Sequence, residues 1–403
     1  MSLFHEIPPT AGIPLHIKDL LSTIFRKNGS LEEDFINYFS APFAAVTYSG
    51  TAAFYIILEA LKSLSLKKTI LIPSYICPLI PLAIKRAGLK VLVCDINKDN
   101  FDFQNNQLET LCADSSDILA ILAVHLAGLP VNLQAIERIA KGKKIFIIED
   151  CAQSLGATYQ GEKTGKLGDF AFYSLCRGKG ITIYEGGAVT TGLEFAHAIN
   201  NAIKCVAKNK PLSETLKILE LLGYFAFYRP QLFWFVFRLP QVFWQAQGKT
   251  EKAFIEYFDC NFPVHKVSGL RKNIGHAMFP RLEEKIIKQR QVVSAYIAGL
   301  KDVHGIKLIT EQQGNRSNYP YLTLLFDDED RRRRVFNTLI GSGLGVSQIY
   351  LSAITDYDYL KDIVGNESCP NARSIAKRHI TLTTSTFLSK KEISCLIEKV
   401  RKI

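Results

Sequence analysis

Between about Ala44 and Thr191, short apolar runs rich in β-branched residues alternate with amphipathic helical patterns. The runs predicted as strands are AAVTYS, TILIPS, KVLVCDI, ILAILAVH and KIFIIED. This alternation is typical of the α/β class, a mostly parallel sheet covered by helices on both faces. Ligands of such sheets bind beyond the carboxyl ends of the strands, so the residues that follow each run are the candidates for a site.

The length of 403 residues exceeds what one ordinary hydrophobic core accommodates, and the composition changes along the chain. We predict a large α/β domain over residues 1–192 and an aromatic-rich helical insert or connection over residues 193–275. Residues 276–403 mix further strand patterns with helical patterns, and they are predicted to form a smaller C-terminal α+β domain.

Lysine and arginine outnumber aspartate and glutamate by 49 to 38, which leaves a net charge of +11. Such an excess suits anionic partners, namely phosphorylated small molecules, nucleic acid or an anionic membrane surface. Solubility explains it equally well because the basic residues are dispersed. No nucleic-acid-binding signature accompanies the charge, so we expect no nucleic-acid partner.

The nine cysteines are scattered and form no C-x-x-C pair. This argues against a disulfide framework and a zinc ribbon, and it favours a reducing cytosol. The first residues show no secretory signal pattern, and no apolar run reaches the ~18 residues that would cross a bilayer. We therefore expect a cytoplasmic protein with no metal site.

Three strand ends carry residues that have ordinary explanations when each is taken alone. Gly50, Thr51 and Ala52 open the helix after AVTYS, and they form either a phosphate site or a simple helix cap. Asp150 ends the strand KIFIIED, where a buried carboxylate needs a cationic partner or caps a helix. Lys179 lies between glycines in YSLCRGKGITIYEGG, a setting that suits covalent chemistry by a desolvated amine.

Taken together, these three strand ends describe one cofactor. Pyridoxal 5'-phosphate (PLP) needs a phosphate cradle, a carboxylate for its pyridine nitrogen and a lysine that binds its aldehyde. A nucleotide phosphate loop is excluded because Tyr173 and Gly180 stand where that motif requires a glycine and a hydroxyl. The sequence therefore predicts PLP at the carboxyl edge of the sheet.

These residues lie in a longer pattern of Glu-Asp-x-Ala-Gln, then Gly-Asp, then a lysine six residues before Glu-Gly-Gly. The segments that carry it are YSGTAAF (48–54), HLAGLPVNLQAI (125–136), IIEDCAQSLGATYQGEKTGKLGDFAFYS (147–174), EGG (185–187) and, more loosely, PNARSIAKRHITL (370–382). On these segments the chain resembles the DegT/StrS-like sugar aminotransferases, which are PLP-dependent enzymes of fold type I.

The resemblance implies a role for each matched residue. Lys179 is implied as the Schiff-base lysine and Asp150 as the partner of the pyridine nitrogen, and both would be catalytic. Gln153 is implied to lie beside the cofactor ring and its phenolic oxygen. The implied phosphate site comprises Gly50, Thr51, Ala52 and Ser174. The family is usually a homodimer, with each active site completed by the neighbouring subunit.

The implied reaction is transamination from an amino acid, with glutamate as the expected donor, to a keto-sugar that is commonly nucleotide-linked. Surface polysaccharide or other sugar biosynthesis would be its setting. The dehydratase branch of the family replaces the lysine by histidine, so Lys179 favours transamination. Two alternatives stay open: a PLP enzyme with another reaction or a non-sugar substrate, and a non-catalytic regulator that has kept the fold.

Several segments depart from the family pattern on the substrate side. Tyr184 stands where the family usually has glycine, which is expected to put a bulky ring near the site. Cys77 falls near the position of the aromatic residue that commonly stacks on the cofactor, and Tyr75 could replace that residue only if the loop were rearranged. The other departing segments are VHKVS (264–268) and GVSQIYLSA (345–353).

Residues 219–245 are dense in aromatic rings, and this part of the chain exceeds the usual length of the family. Pro230 and Pro240 are expected to break it into short helical pieces. We expect a helical lid or a dimer surface that buries these rings. The alternative is an interfacial element that contacts the inner face of the membrane.

Overall fold

A computed structural model of the chain describes residues 4–21, 29–247 and 257–402. Its larger sheet contains the strands β1 Phe43–Thr47, β2 Thr69–Pro73, β3 Lys90–Cys94, β4 Ile118–Val124, β5 Phe146–Asp150, β8 Phe170–Ser174 and β9 Gly187–Thr191. The short strands β6 Thr158–Tyr159 and β7 Glu162–Lys163 form a separate hairpin.

The strands of the larger sheet follow the spatial order β1-β9-β8-β5-β4-β2-β3. Strand β9 is antiparallel to both of its neighbours. The pairs β2–β3, β2–β4, β4–β5 and β5–β8 are parallel. The mostly parallel sheet predicted from the sequence is therefore confirmed.

Helices pack on both faces of this sheet because its central strands are apolar on both sides. In β2, Ile70 and Ile72 pack into one apolar cluster, whereas Leu71 between them packs into another. The helices associated with the sheet are Ile17–Leu21, Leu31–Phe39, Gly50–Leu64, Leu79–Arg86, Asn105–Asp114, Leu133–Lys141 and Leu193–Val206, together with the 3-10 turn Leu126–Gly128.

A second, antiparallel sheet has the order β10-β11-β13-β12, formed by β10 Ile306–Ile309, β11 Tyr321–Phe326, β12 Val346–Ser347 and β13 His379–Thr383. The helical elements that follow residue 268 are Gly269–Met278, Phe279–Arg281, Leu282–Leu300, Glu329–Leu339, Ile354–Asp356, Asp358–Leu360, Lys361–Val364, Pro370–Arg378 and Lys390–Arg401. The first sheet ends before Gly192 and the second begins after His276. The boundaries 1–192, 193–275 and 276–403 stay a prediction.

The N-terminal strap, defined as residues 5–13, connects the second sheet to the loop after β8. Ile7 N–H donates to the carbonyl oxygen of Gly343 (2.9 Å), and Thr383 Oγ1 donates to that of Pro8 (2.7 Å). Ile13 N–H donates to the carbonyl oxygen of Gly180 (3.3 Å). The strap therefore contacts both the small sheet and the residue that follows Lys179.

The aromatic-rich insert is helical and comprises Pro211–Phe227, Pro230–Phe233, the π turn Trp234–Arg238 and Leu239–Ala246. Pro230 begins a helix, but the predicted break at Pro240 is wrong, since the helical run continues through it. Pro240 follows the wide π turn and is the second residue of its helix, where its missing N–H is tolerated. Within the described ranges, no helix combines the length and apolarity needed to cross a membrane.

Candidate active site

The carboxyl ends of β1, β5 and β8 meet at one edge of the larger sheet, around a cavity of about 280 Å³. The residues predicted to bind the cofactor that line this cavity are Gly50, Thr51, Asp150, Gln153, Ser174 and Lys179. Ala52 does not line it. Its side chain is buried in the helix, and its N–H donates to Ser49 Oγ at 3.0 Å.

The helix Gly50–Leu64 points its N-terminus into the cavity. Ser49 caps this helix, so the ordinary explanation of the Ser-Gly-Thr stretch holds for that residue. A Cβ on Gly50 would lie 3.1 Å from Ser174 Cβ, so glycine allows Ser174 to approach the helix closely. In the described chain the hydroxyls of Thr51 and Ser174 have no hydrogen-bond partner. Helix dipole and hydroxyls together form a cradle for an anion.

Asp150 is the last residue of β5, and its side chain is buried. Burial raises the pKa of its carboxyl group to about 6, although the Ala152 N–H and the charge of Lys179 act in the opposite direction. The Ala152 N–H donates to Asp150 Oδ1 at 2.9 Å. A carboxylate with so little solvation favours a cationic group placed against it in the cavity.

Lys179 enters the cavity from the loop between β8 and β9. Burial lowers the pKa of its amine, while Cys176, Asp150 and Cys77 oppose that shift. A lowered pKa increases the fraction of neutral amine, which is the form that attacks a carbonyl carbon. The position and the environment of Lys179 therefore suit covalent chemistry.

Gln153 is fixed by contacts from outside its own segment. Its Oε1 accepts hydrogen bonds from the Ala127 N–H (3.0 Å) and from the Tyr321 hydroxyl. Its carbonyl oxygen accepts from Asn318 Nδ2 at 3.1 Å. Tyr321 and Asn318 were not predicted, because Tyr321 begins a run, YLTLLF (321–326), with only the pattern of a buried strand, and no motif marks Asn318.

His125 follows β4 and lines the cavity with a buried imidazole. Its Nδ1 accepts from the Val131 N–H (3.1 Å), which assigns its proton to Nε2, and Nε2 faces Glu149 Oε2 at 3.0 Å. Glu149 also accepts three backbone N–H groups. These two residues and Cys151 lie close enough to share a cation. Since the polar atoms of His125 and Glu149 already have partners, His125 is part of the cavity wall and the buried Glu149 holds its imidazole in place.

Tyr75 does not replace the missing aromatic residue, because it is fully buried outside the cavity. Cys77 lines the cavity, and so does the side chain of Tyr350 from the departing segment GVSQIYLSA. Burial raises the pKa of the Tyr350 hydroxyl well above its ordinary value, so this hydroxyl stays protonated. No sequence pattern singled out Tyr350.

Tyr184, whose ring was expected near the site, directly precedes Glu185 of the cavity wall, but its own ring is not part of that wall. Tyr184 has a φ of 72° and packs its ring against Tyr224 of the insert, with the ring centroids 6.4 Å apart. Tyr184, which stands in place of the usual glycine, therefore packs against the insert and does not fill the cavity.

An α/β sheet with a desolvated lysine, a buried carboxylate and a helix N-terminus around one cavity defines a PLP-dependent transferase. A family model narrows this class: the DegT/DnrJ/EryC1/StrS aminotransferase family matches residues 18–213 and 246–401. The chain belongs to this family. Its membership confirms the resemblance seen in the sequence, the aminotransferase class and the dependence on PLP.

Individual proteins that are similar to this chain are consistent with its membership of this family. The UDP-4-amino-4,6-dideoxy-N-acetyl-β-L-altrosamine transaminase of Campylobacter jejuni is 25% identical over 401 residues, spanning 96% of this chain and 94% of its own. GDP-perosamine synthase of Escherichia coli O157:H7 is 30% identical over 174 residues, spanning 42% and 47%. The putative sugar aminotransferase Spr1654 of Streptococcus pneumoniae, in its PLP form, superimposes with a TM-score of 0.73 at 19% identity, covering 99% and 98%. The predicted fold type is thereby confirmed.

Proposed function

We propose that the protein transfers an amino group from an amino acid, with glutamate as the expected donor, to a nucleotide-linked keto-sugar. Surface polysaccharide or related sugar biosynthesis is the proposed setting. The observation that carries this proposal is that Lys179 and Asp150 line one cavity with a helix N-terminus. The names of the relatives, a UDP-sugar transaminase and a GDP-perosamine synthase, support the class of acceptor.

The residues of the cavity fit PLP. The proposed phosphate contacts are Gly50, Thr51 and Ser174. Asp150 would pair with the ring nitrogen, Gln153 would lie beside the ring, and Lys179 would bind the aldehyde carbon. When bound, PLP supplies a ring that accepts the electron pair left behind when a bond to the substrate carbon breaks. The phosphate cradle and the buried carboxylate match its two charged ends.

The chain itself supplies charge and proton transfer. The buried carboxylate of Asp150 favours a protonated nitrogen against it, because a nearby cation replaces the solvation lost on burial. The amine of Lys179, with its pKa lowered by burial, would move a proton between the substrate carbon and the aldehyde carbon of the cofactor. Ile76, Ile80 and Phe172 form an apolar part of the cavity wall that limits water around these groups.

The second candidate is a PLP enzyme with another reaction or with a non-sugar substrate. It is favoured by Cys77 and Tyr350, since both line the cavity in segments that depart from the family pattern. A non-catalytic regulator is a weaker candidate, because it would not need Lys179, Asp150 and Gln153 in one cavity.

The test combines the PLP-loaded protein, glutamate and a panel of nucleotide-linked keto-sugars, with products read by mass spectrometry. The proposal predicts an amino-sugar and 2-oxoglutarate with the wild type and neither with Lys179→Ala. If the wild type shows the visible absorbance of bound PLP but aminates no keto-sugar with any amino donor, the second candidate is favoured.

We also propose a homodimer. Phe262 and Pro263 line the cavity just before the departing segment VHKVS, and the family resemblance implies an active site completed by the neighbouring subunit. Light scattering tests the assembly, with an expected mass of about twice the 45.2 kDa of one chain. A fully active protein with the mass of one chain would contradict it.

The insert buries only part of its rings, so its outer face is the basis of a separate proposal. Phe235, Val236, Leu239 and Phe243 are 42% to 54% exposed. From Leu221 to Gln247 the charged residues are Arg229 and Arg238, both basic. We propose that this face lies on the inner surface of an anionic membrane and that the protein is cytoplasmic.

Co-sedimentation with anionic and with neutral vesicles tests this contact. Binding to anionic vesicles that weakens in Phe235→Ser and at high salt is expected. If the protein stays in the supernatant with anionic vesicles at low salt, the membrane contact is wrong. A fall in the mass of the Phe235→Ser protein to that of one chain would assign the face to the dimer instead.

A further inference from the structure

Residues 214–245 of the insert lie outside the match to the family, yet side chains of this segment pack on the loop that carries Lys179. The family model matches residues up to 213 and again from 246. The helix Pro211–Phe227 spans the start of that gap. We define the Lys179 loop as residues 175–186, between β8 and β9. The contacts between this helix and this loop are therefore additions to the common framework of the family.

Two ion pairs connect the helix to the second half of the loop, one through Arg271 of the helix Gly269–Met278 and one directly. Glu214 Oε1 and Arg271 form a buried ion pair (2.6 Å), and Arg271 Nε also donates to the carbonyl oxygen of Ile183 (3.2 Å). Lys217 Nζ pairs with Glu185 Oε2 at 2.8 Å. The loop is thus held by charge on the side that leads into β9.

Aromatic packing holds the loop at Tyr184. The ring of Tyr224 lies edge-on to that of Tyr184 and stacks on that of Tyr228, with centroids 6.4 Å and 4.4 Å apart. Arg177 covers Tyr184 at 5.1 Å from the ring centroid. A bulky residue with a φ of 72° is unfavourable unless its surroundings hold it. The packing of Tyr224 supplies that restraint.

The first half of the loop is held through the N-terminal strap. The hydroxyl of Tyr228 accepts from the Gly12 N–H (3.1 Å) and donates to the carbonyl oxygen of Thr10 (3.0 Å). Thr10 in turn lies against Gly178, where an added Cβ would meet Thr10 Oγ1 at 2.2 Å. Gly178, whose φ is 72°, directly precedes Lys179. Tyr228 therefore fixes the strap that packs on the residue before Lys179.

We propose that the helix Pro211–Phe227 is a buttress that sets the orientation of Lys179 in the cavity. Lys217, Tyr224 and Tyr228 are positioning residues, because none of them lines the cavity. This proposal rests on the proposed function in one respect, because it takes Lys179 as the lysine that binds PLP. It holds the loop on both sides of that residue.

The test uses the full-length PLP-loaded protein in the variants Tyr224→Leu and Lys217→Met. The control is Leu212→Ala, which truncates an exposed side chain of the same helix. The first readout is the pH midpoint of the visible absorbance of the lysine-bound cofactor. The second readout is the pair of values kcat and KM for the amino donor, each determined separately. If Tyr224→Leu does not fold, both readouts are still obtained from Lys217→Met.

The buttress predicts that Tyr224→Leu shifts the absorbance midpoint by about 0.5 pH unit or more. It also predicts that kcat falls about tenfold with KM changed by less than about twofold, since an amine misplaced in the transition state costs rate more than affinity. Lys217→Met should change the absorbance midpoint and kcat in the same directions as Tyr224→Leu does, and the control should match the wild type.

A second substitution distinguishes positioning from general stability. Adding Tyr184→Gly to Tyr224→Leu relieves the unfavourable φ, so the effects on the midpoint should be clearly non-additive. The proposal is wrong if Tyr224→Leu and Lys217→Met lower Tm but leave the midpoint and kcat at wild-type values. A wild type that shows no visible absorbance with PLP would contradict the proposed function itself, which separates the two failures.

Discussion

The hydroxyl of Tyr75 donates to the carbonyl oxygen of Tyr350 at 2.8 Å and accepts from the N–H of Tyr350 at 3.0 Å. These two hydrogen bonds join the loop after β2 to a segment 275 residues further along the chain. They hold the backbone of Tyr350 at both polar atoms, and its side chain lines the cavity. The position of the Tyr350 ring in the cavity thus depends on Tyr75, which does not itself line the cavity.

Removing the ring of Tyr350 should weaken the binding of PLP. We expect Tyr350→Ala to raise Kd about three- to tenfold, the range for the loss of an aromatic contact, while Tyr350→Phe stays close to the wild type. Titration of the cofactor-free protein with PLP measures both. Tyr257→Ala, which truncates an exposed ring outside the cavity, is the control. Wild-type affinity in Tyr350→Ala would show that the ring does not contact the cofactor.

The proposed phosphate cradle makes a prediction about ligand chemistry. Ser174→Ala should raise Kd for PLP about tenfold, because one hydrogen bond to a charged group is lost. Kd for pyridoxal, which has no phosphate, should stay unchanged. Equal losses for both ligands in equilibrium titrations would place the phosphate elsewhere.

The buried carboxyl group of Asp150 should make the cofactor-free protein less stable as the pH rises. Its pKa is about 6 in the folded chain, above its ordinary value of 3.8, so the folded state binds more protons between these values. The free energy of unfolding should therefore fall between about pH 4 and pH 6, by on the order of 2–3 kcal/mol from this group. Denaturant titrations across this range should show a smaller fall in Asp150→Asn, and equal slopes would contradict the assignment.

Lys285 is a buried lysine with no function in the proposed reaction. Its Nζ donates to the carbonyl oxygen of Gly180 at 3.4 Å, and in the described part of the chain no carboxylate forms an ion pair with it. Burial lowers its pKa to about 7. The unfolded state therefore binds more protons above this value, and the folded state gains stability as the pH rises toward 10.5.

We accordingly expect Lys285→Met to stabilise the protein by roughly 2–4 kcal/mol at neutral pH, with the gain shrinking toward pH 10. Thermal unfolding at several pH values measures this. Lys288→Met, which alters a more exposed lysine of the same helix, is the control. A constant gain across the pH range would indicate improved packing instead of an avoided charge.

The sequence predicted the parts of the site that lie on single strand ends. Asp150 and Ser174 end buried strands, and Gly50 opens a helix, so the geometry of parallel sheets was sufficient to bring them together. Tyr350 was not predictable, because its place depends on hydrogen bonds to Tyr75 in a distant segment. The packing of the Tyr184 ring was not predictable for a related reason, since its neighbour Tyr224 belongs to the insert.

Lys179 is proposed to bind PLP, and reduction with borohydride followed by peptide mass spectrometry tests this assignment directly. Borohydride converts a lysine–cofactor linkage into a stable bond, and digestion then locates the label. We expect the phosphopyridoxyl group on Lys179 and on no other lysine. A label on Lys285, another buried lysine with a lowered pKa, or an unlabelled Lys179 in a protein that shows the visible absorbance of bound PLP, would contradict this assignment.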